Sequence, residues 1–408
     1  MRPAMLSGWP SMQRSLLQTP PLSLYVHMPW CVRKCPYCDF NSYTLRETLP
    51  ETQYVAALER DMESQSADVG GRPIVSIFFG GGTPSLFPPE AIGRVLEAAR
   101  HHFDLAADCE ITLEANPGTV ERGRFTGYRE VGVNRVSLGA QSFDAAQLEK
   151  LGRIHSAGET TRAAEELHAA GLSNFNLDLM YGLPGQDVAG AVRDVQQALA
   201  LSPAHLSHYQ LTLEPGTQFA AKPPALPEDD TASEMLSACY AEIAADFTQY
   251  EISAYARAGR QCRHNLNYWS FGDYLGVGAG AHGKITFADR GEIVRTTQQR
   301  EPRRYQAGSP AAIARTRVAA ADLPFEFMMN ALRLAEGFET RFFSERTGLE
   351  WEAVQPKLER LAARGLLVME GSMCHPTPLG LRFLNEMLVS LLPESAGLAG
   401  KQTLSTGS

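Results

Sequence analysis

The sequence predicts an α/β fold, a parallel sheet covered by helices, followed by a small winged-helix-like α+β module. Two observations predict it. Strand-like and helix-like runs alternate through about six units over residues 22–250, and from about residue 324 the texture changes to amphipathic helices and a hairpin. A third observation concerns chemistry. The segments "PWCVRKC", "GGGTP", "EANPG", "GAQSF", "DLMYGLPGQ" and "EPGT" each follow a strand-like run. In a parallel sheet they would all face one mouth, where such sheets carry their sites.

Each element has its own signal. "LSLYVHM" (22–28) reads as a strand and "TQYVAALERDMESQ" (52–65) has helical periodicity. "IVSIFF" (74–79) is a β-rich run ending at a glycine triplet, and "PPEAIGRVLEAARHHF" (88–103) is a helix opening with prolines, as first turns tolerate. "CEITLEA" (109–115), "RVSLGA" (135–140), "NFNLDLM" (174–180) and "HLSHYQLTL" (205–213) read as further strands. Helices are expected between them at 159–171 and 188–202, and after a proline-rich break (214–230) at 231–249. An aromatic, glycine-rich stretch covers 250–290, and 296–323 reads as a connector. In the last module, "LPFEFMMNALRLAEGF" and "WEAVQPKLERLAARG" are amphipathic, "LLVMEGSMCHPTPLG" reads as a hairpin and "LRFLNEMLVSLL" as a closing helix.

Composition narrows the function classes. Hydrophobic residues make up 44% and charged residues 20%, ordinary for a globular chain. A net charge of −9, with no basic run, argues against nucleic acid as a partner. No apolar run reaches membrane-spanning length. Residues 1–20 lack acids and carry Arg2 and Arg14, without the apolar core of a secretory signal, and are expected to be a disordered leader. The Gly/Ser/Thr-rich end, 393–408, is expected to be a disordered tail. Seven cysteines, three clustered and four scattered, do not form a disulfide framework and indicate a reducing, cytoplasmic setting.

The cluster is Cys31, Cys35 and Cys38, in "WCVRKCPYCDF". Thiolates are soft ligands for zinc or iron–sulfur clusters. A structural zinc site wants four protein ligands, and His27 would have to complete a Cys3His set. An iron–sulfur cluster on three cysteines leaves one iron open to a substrate or cofactor. Both chemistries stay open at the level of residue type. A chance cluster of buried cysteines fits poorly with CxxxCxxC set directly after a strand among aromatics.

CxxxCxxC after a first strand in a series of βα units resembles the radical S-adenosylmethionine (SAM) superfamily. "YVHMPWCVRKCPYCDF", "GGGTPS", "LEANPG", "SLGAQSF" and "DLMYGLPGQ" are similar to the oxygen-independent coproporphyrinogen III oxidase family, from about Leu22 onward. The resemblance implies a partial (β/α)6 TIM-like barrel at 21–255, then 256–323 as a motif-bearing region and connector, and the C-terminal domain at 324–392. It implies a [4Fe-4S] cluster on Cys31, Cys35 and Cys38, with SAM on the open iron. It carries a SAM-site role to Tyr25, Tyr37, Gly81, Gly82, Thr83 and Glu114, a contact with a second SAM to Gln141, Arg153 and Asp178, and more loosely a SAM-site role to Thr212. Beside it, the glycines of 80–82 permit close backbone approach to a ligand, and Glu114 offers a carboxylate to an ammonium or ribose hydroxyls.

The oxidases of that family carry a fourth cysteine two residues after the third. Here the position is Phe40. CxxxCxxCxF resembles instead the family's haem-chaperone branch. "HNLNYW" (264–269) matches that branch's HNxxYW motif, which assigns haem contact to His264, Asn265, Tyr268 and Trp269. Imidazole is an apt axial ligand for haem iron, and Tyr268 and Trp269 suit a flat macrocycle. Cys262 is a further haem-reactive candidate. The resemblance therefore implies a haem carrier that delivers haem to an apo-haemoprotein, itself in some cases membrane-associated, with an electron donor for the cluster and a monomeric or weakly dimeric chain. Three other readings compete: oxidative decarboxylation of coproporphyrinogen III, a radical SAM reaction on an unrelated substrate, and a zinc-stabilised binding module.

Overall fold

The computed structural model describes residues 12–118, 123–308 and 313–392. Twelve strands form one sheet. In chain order they are β1 (Leu22–Met28), β2 (Ile74–Gly81), β3 (Leu105–Ala115), β4 (Arg135–Gln141), β5 (Phe175–Tyr181), β6 (His205–Gln210), β7 (Thr248–Glu251), β8 (Ala254–Ala256), β9 (Asp273–Val277), β10 (His282–Phe287), β11 (Glu292–Thr297) and β12 (Ala314–Arg317). Their order across the sheet is β12-β11-β10-β9-β1-β2-β3-β4-β5-β6-β8-β7. From β9 through β6 the neighbours run parallel, and both flanks are antiparallel. No pairing joins the two edges among the described residues, so the β1–β6 barrel is open.

Burial on both faces selects the apolar runs of the central strands: every residue of β4 is buried, and all but one of β1 and β5. The connecting helices pack their apolar stripes on the sheet, and three of them are started by side-chain caps. Ser156 and Glu159 form a capping box for the helix Ala157–Ala169, and Asp144 and Asp187 cap the helices Ala145–Lys150 and Val188–Ala200. The main core lies between sheet and helices. A second core joins the helices Leu323–Ala331, Thr340–Thr347 and Gln355–Ala363 to the three-stranded sheet β13 (Phe338–Glu339), β14 (Leu367–Glu370) and β15 (Met373–Pro376).

Two expectations change. Residues 12–20 are not a disordered leader: Leu17 is buried in the second core, and the Gln13 and Gln18 N–H groups donate to the carbonyls of Gly348 and Glu345. Residues 1–11 and the expected tail at 393–408 lie outside the described residues. Nor is 256–323 a separate connector, because β9 to β12 extend the main sheet from the edge of β1. Their apolar runs are shorter than those of the central strands, so only the alternation of His282–Phe287 marks one of them in sequence.

Candidate functional site

The ends of the parallel strands surround a cavity of about 500 Å³. Cys31, Cys35, Tyr37 and Cys38 enter it from the loop after β1, and Gly81, Gly82 and Thr83 from the end of β2. Glu114 comes from β3, Gln141 from the end of β4, Arg153 from the segment beyond the helix Ala145–Lys150, Asp178 from β5 and Thr212 from beyond β6. Asn265 and Trp269 close one side. The structure thus gathers the motif residues of six consecutive units. Tyr25 is the exception, since it lines a neighbouring cavity instead.

The donor set fits a cluster held by three thiolates. All three cysteines are free and half-buried, and they line one wall together. No other cysteine lines the cavity, because Cys109, Cys239, Cys262 and Cys374 are buried elsewhere. The structure disfavours the Cys3His alternative. His27 donates from Nε2 to the Asn41 carbonyl (3.0 Å) and accepts at Nδ1 from the Tyr25 hydroxyl (2.7 Å), so both ring nitrogens are engaged. Burial pushes the Cys31 thiol up to about 11, against a hydrogen bond with Thr83, so metal binding there would release a proton. Arg153 braces the wall: its guanidinium reaches Cys35 Sγ (3.8 Å), the Gly139 carbonyl (2.7 Å) and Asn116 Oδ1.

Local geometry explains several residue choices. The glycines of β2 meet protein rather than open space. A Cβ at Gly82 would lie 2.6 Å from the Trp30 carbonyl, and Gly81, at φ +112°, would collide with the His27 ring. Gly81 N–H donates to Glu114 (3.1 Å), whose carboxyl is pushed up to about 8 by burial and by the neighbouring Asp178 carboxylate. Gln141 adopts φ +66°, a left-handed conformation rare outside glycine, and accepts from the Tyr209 hydroxyl (2.8 Å).

A second cavity, of about 740 Å³, adjoins the first; Asp39, Phe40, Gly81, Glu114 and Trp269 line both. Its walls are aromatic, with Tyr25, Phe78, Tyr268, Phe271 and Tyr274. Phe40 stands at the shared rim with 57% of its surface exposed. Trp269 Nε1 is buried without a hydrogen-bond partner among the described residues, and the Arg333 guanidinium lies 4.3 Å over its ring.

His264 lines neither cavity, which corrects the expectation of an accessible axial ligand at that position. The helix Arg263–Trp269 lies against β2, and His264 is buried with its ring stacked on Phe78 at 4.2 Å. Its Nδ1 is 2.8 Å from Glu110 Oε1, and Cys262 Sγ lies 3.1 Å away. Glu110, Cys262 and His264 approach as metal ligands do, but Arg135, buried beside them, already balances the carboxylate. Burial alone would raise Glu110; the His264 hydrogen bond and the Arg135 charge hold it well below the usual carboxylate range, while burial also lowers the His264 imidazole. The arrangement fastens the motif helix to the sheet. Tyr268 and Trp269, at the other end of that helix, do reach the cavities.

The Radical SAM superfamily model matches residues 25–197, and the HemN C-terminal domain model matches residues 318–383. Heme chaperone HemW of Escherichia coli (strain K12) is 48% identical over 380 residues, which cover 93% of this chain and 100% of that protein. The chain belongs to the HemW family. HemW of Haemophilus influenzae is 46% identical, covering 92% and 99% of the two chains. A mouse protein named Radical S-adenosyl methionine domain-containing protein 1, mitochondrial, is 35% identical over 91% of this chain and 87% of its own. The solved structure of coproporphyrinogen III oxidase (HemN) from Escherichia coli superposes with a TM-score of 0.77 at 23% identity, covering 93% of this chain and 91% of that one. It shares the fold with this HemW-family chain.

Sequence reasoning missed four residues on the wider cavity, His282, Lys284, Arg295 and Arg300. The alternation in "HGKITF" was the available signal, since a strand at 282–287 puts His282, Lys284 and Thr286 on one face.

Proposed function

We propose that the chain is a haem chaperone built on a radical SAM core, which binds haem as cargo and delivers it to an apo-haemoprotein. Cys31, Cys35 and Cys38 would hold a [4Fe-4S] cluster, and SAM would occupy the cavity they line. Cluster and SAM together supply one-electron chemistry. The chain's own residues position them. Arg153 sets a fixed positive charge beside Cys35, and Glu114 and Asp178 offer carboxylates from the barrel interior. Tyr37, Gln141, Thr83 and Thr212 add hydroxyl and amide groups around the wall, and Gly81 and Gly82 keep the β2 end close to the first loop. Tyr268 and Trp269 would face the cargo from the wider cavity, and His264 and Asn265 would anchor their helix through Glu110 and the Tyr250 hydroxyl.

One observation carries this reading against porphyrinogen oxidation. The aromatic Phe40, rather than a thiol, stands on the rim common to the two cavities. A phenyl ring can cover a macrocycle but cannot take part in thiol chemistry. The electron donor and the recipient, including a membrane-associated one, would dock from outside the two cavities. The chain would act as a monomer or weak dimer, and a reducing, cytoplasmic setting fits seven cysteines without a disulfide. No helix among the described residues is long and apolar enough to cross a membrane.

Substrate turnover tests the choice. Reconstituted protein incubated anaerobically with SAM, a reductant and coproporphyrinogen III is expected to return the porphyrinogen unchanged. Formation of the divinyl product over many turnovers would replace the carrier reading with the oxidase one.

A further inference from the structure

The wider cavity contains groups that neither the motif nor the cluster uses. At about 740 Å³ it lies within the ~300–1,000 Å³ range of sites for cofactor-sized ligands. Two histidines line it, His27 and His282. His27 is spent on Tyr25 and Asn41. His282 is exposed at the start of β10, and its Nδ1 lies 3.2 Å from the Thr297 hydroxyl on β11. Its Nε2 has no hydrogen bond among the described residues. That is the arrangement of an imidazole ligand: one nitrogen fixes tautomer and ring orientation, and the other is left for iron.

The cations around it are unequal. Lys284 is committed to Asp273, and Arg295 to Glu326 and the Tyr274 hydroxyl. Arg300 lines the cavity, is exposed, and has no ion pair among the described residues. An aromatic wall, a free imidazole and an unpaired guanidinium match the three parts of a haem: macrocycle, iron and propionates.

We propose that haem is held in this cavity with His282 Nε2 as its axial ligand and Arg300 as a propionate partner. The proposal rests on the haem-carrier reading and deepens it: His264 secures the motif helix, and the ligand comes from β10.

The test uses full-length reconstituted protein titrated anaerobically with haem, read by Soret position and by the ferric EPR spectrum. His282→Ala is expected to lose the imidazole-ligated spectrum and to bind roughly tenfold more weakly or worse, and free imidazole added to it should restore the spectrum. His264→Gln, able to keep a bond to Glu110, should retain ligation. Arg300→Ala should weaken haem several-fold but leave the affinity for haem dimethyl ester unchanged. An imidazole-ligated spectrum that persists in His282→Ala overturns the proposal while leaving the carrier reading in place. Failure of the wild type to bind haem at all overturns both.

Discussion

Cys35→Ala is expected to fold and to carry no cluster. Three thiols line the cavity and no spare one is near, so a lost ligand has no substitute. After anaerobic reconstitution, bound iron and the brown visible absorption should fall to background, and SAM binding should go with them. The backbone should be little affected, because Cys35 lies half-exposed in a surface loop and its thiol meets the Arg153 guanidinium at 3.8 Å and the Tyr37 hydroxyl. A far-ultraviolet spectrum like that of the wild type would confirm this. Cys262→Ala is the control: that thiol is buried with Glu110 and His264, away from the cluster wall, and iron content should not change. Wild-type iron in Cys35→Ala, or loss of iron in Cys262→Ala, would contradict the assignment of the ligands.

Asp273→Ala should be among the most destabilising single changes in the chain, at about 3–5 kcal/mol. The Asp273 carboxylate is fully buried at the start of β9. It pairs with Lys284 (2.7 Å) and Arg72 (2.8 Å), and accepts from the Thr286 N–H (2.7 Å) and hydroxyl (2.8 Å). Alanine strands the buried Lys284 ammonium, whose other partner among the described residues is the Phe271 ring at 4.4 Å. Asp273→Ala/Lys284→Met should recover much of the loss, since the cost lies in the uncompensated charge rather than in the missing pair. The pH dependence has a definite sign. Burial opposes ionisation, but the Lys284 charge and hydrogen bond, with Arg72, override it and hold Asp273 below its ordinary range. A carboxylate with a depressed native value contributes stability above its unfolded value of about 4, lost as pH falls through the native value. Urea unfolding of wild type and variant should therefore converge in acid. A cost below ~1 kcal/mol, the size of an exposed pair, would mean that the network is not buried in solution.

The parallel core was legible because burial on both faces writes itself into sequence as apolar runs. The first strand, Leu22–Met28, and the helix ending at Gln65 fall at the expected bounds, and the other strands differ by a few residues at their ends. The flanking strands β7 to β12 were not legible. Several are short, and one of them, β12, is exposed throughout, so apart from the alternation in β10 little in their composition separates them from loop. The cluster wall was readable because its residues follow strands that all end at one mouth. The motif histidine shows the limit. His264 can be read as a candidate ligand from its neighbours, but its partner Glu110 lies 154 residues earlier, and local pattern carries no record of such a pairing. His282 escaped for the complementary reason: its partner Thr297 and the aromatic wall meet it only once β10 and β11 pair.

On the reading proposed above, the chain carries haem and gives it up to a protein that needs it. The most direct measurement loads the reconstituted protein with one equivalent of haem, removes the excess by gel filtration, and adds an apo-haemoprotein such as apomyoglobin. Haem should co-elute with the chain at one per chain, and the acceptor's own Soret band should then grow as the chain's band decays. Haem that fails to co-elute, or that stays on the chain with excess acceptor present, would contradict the claim.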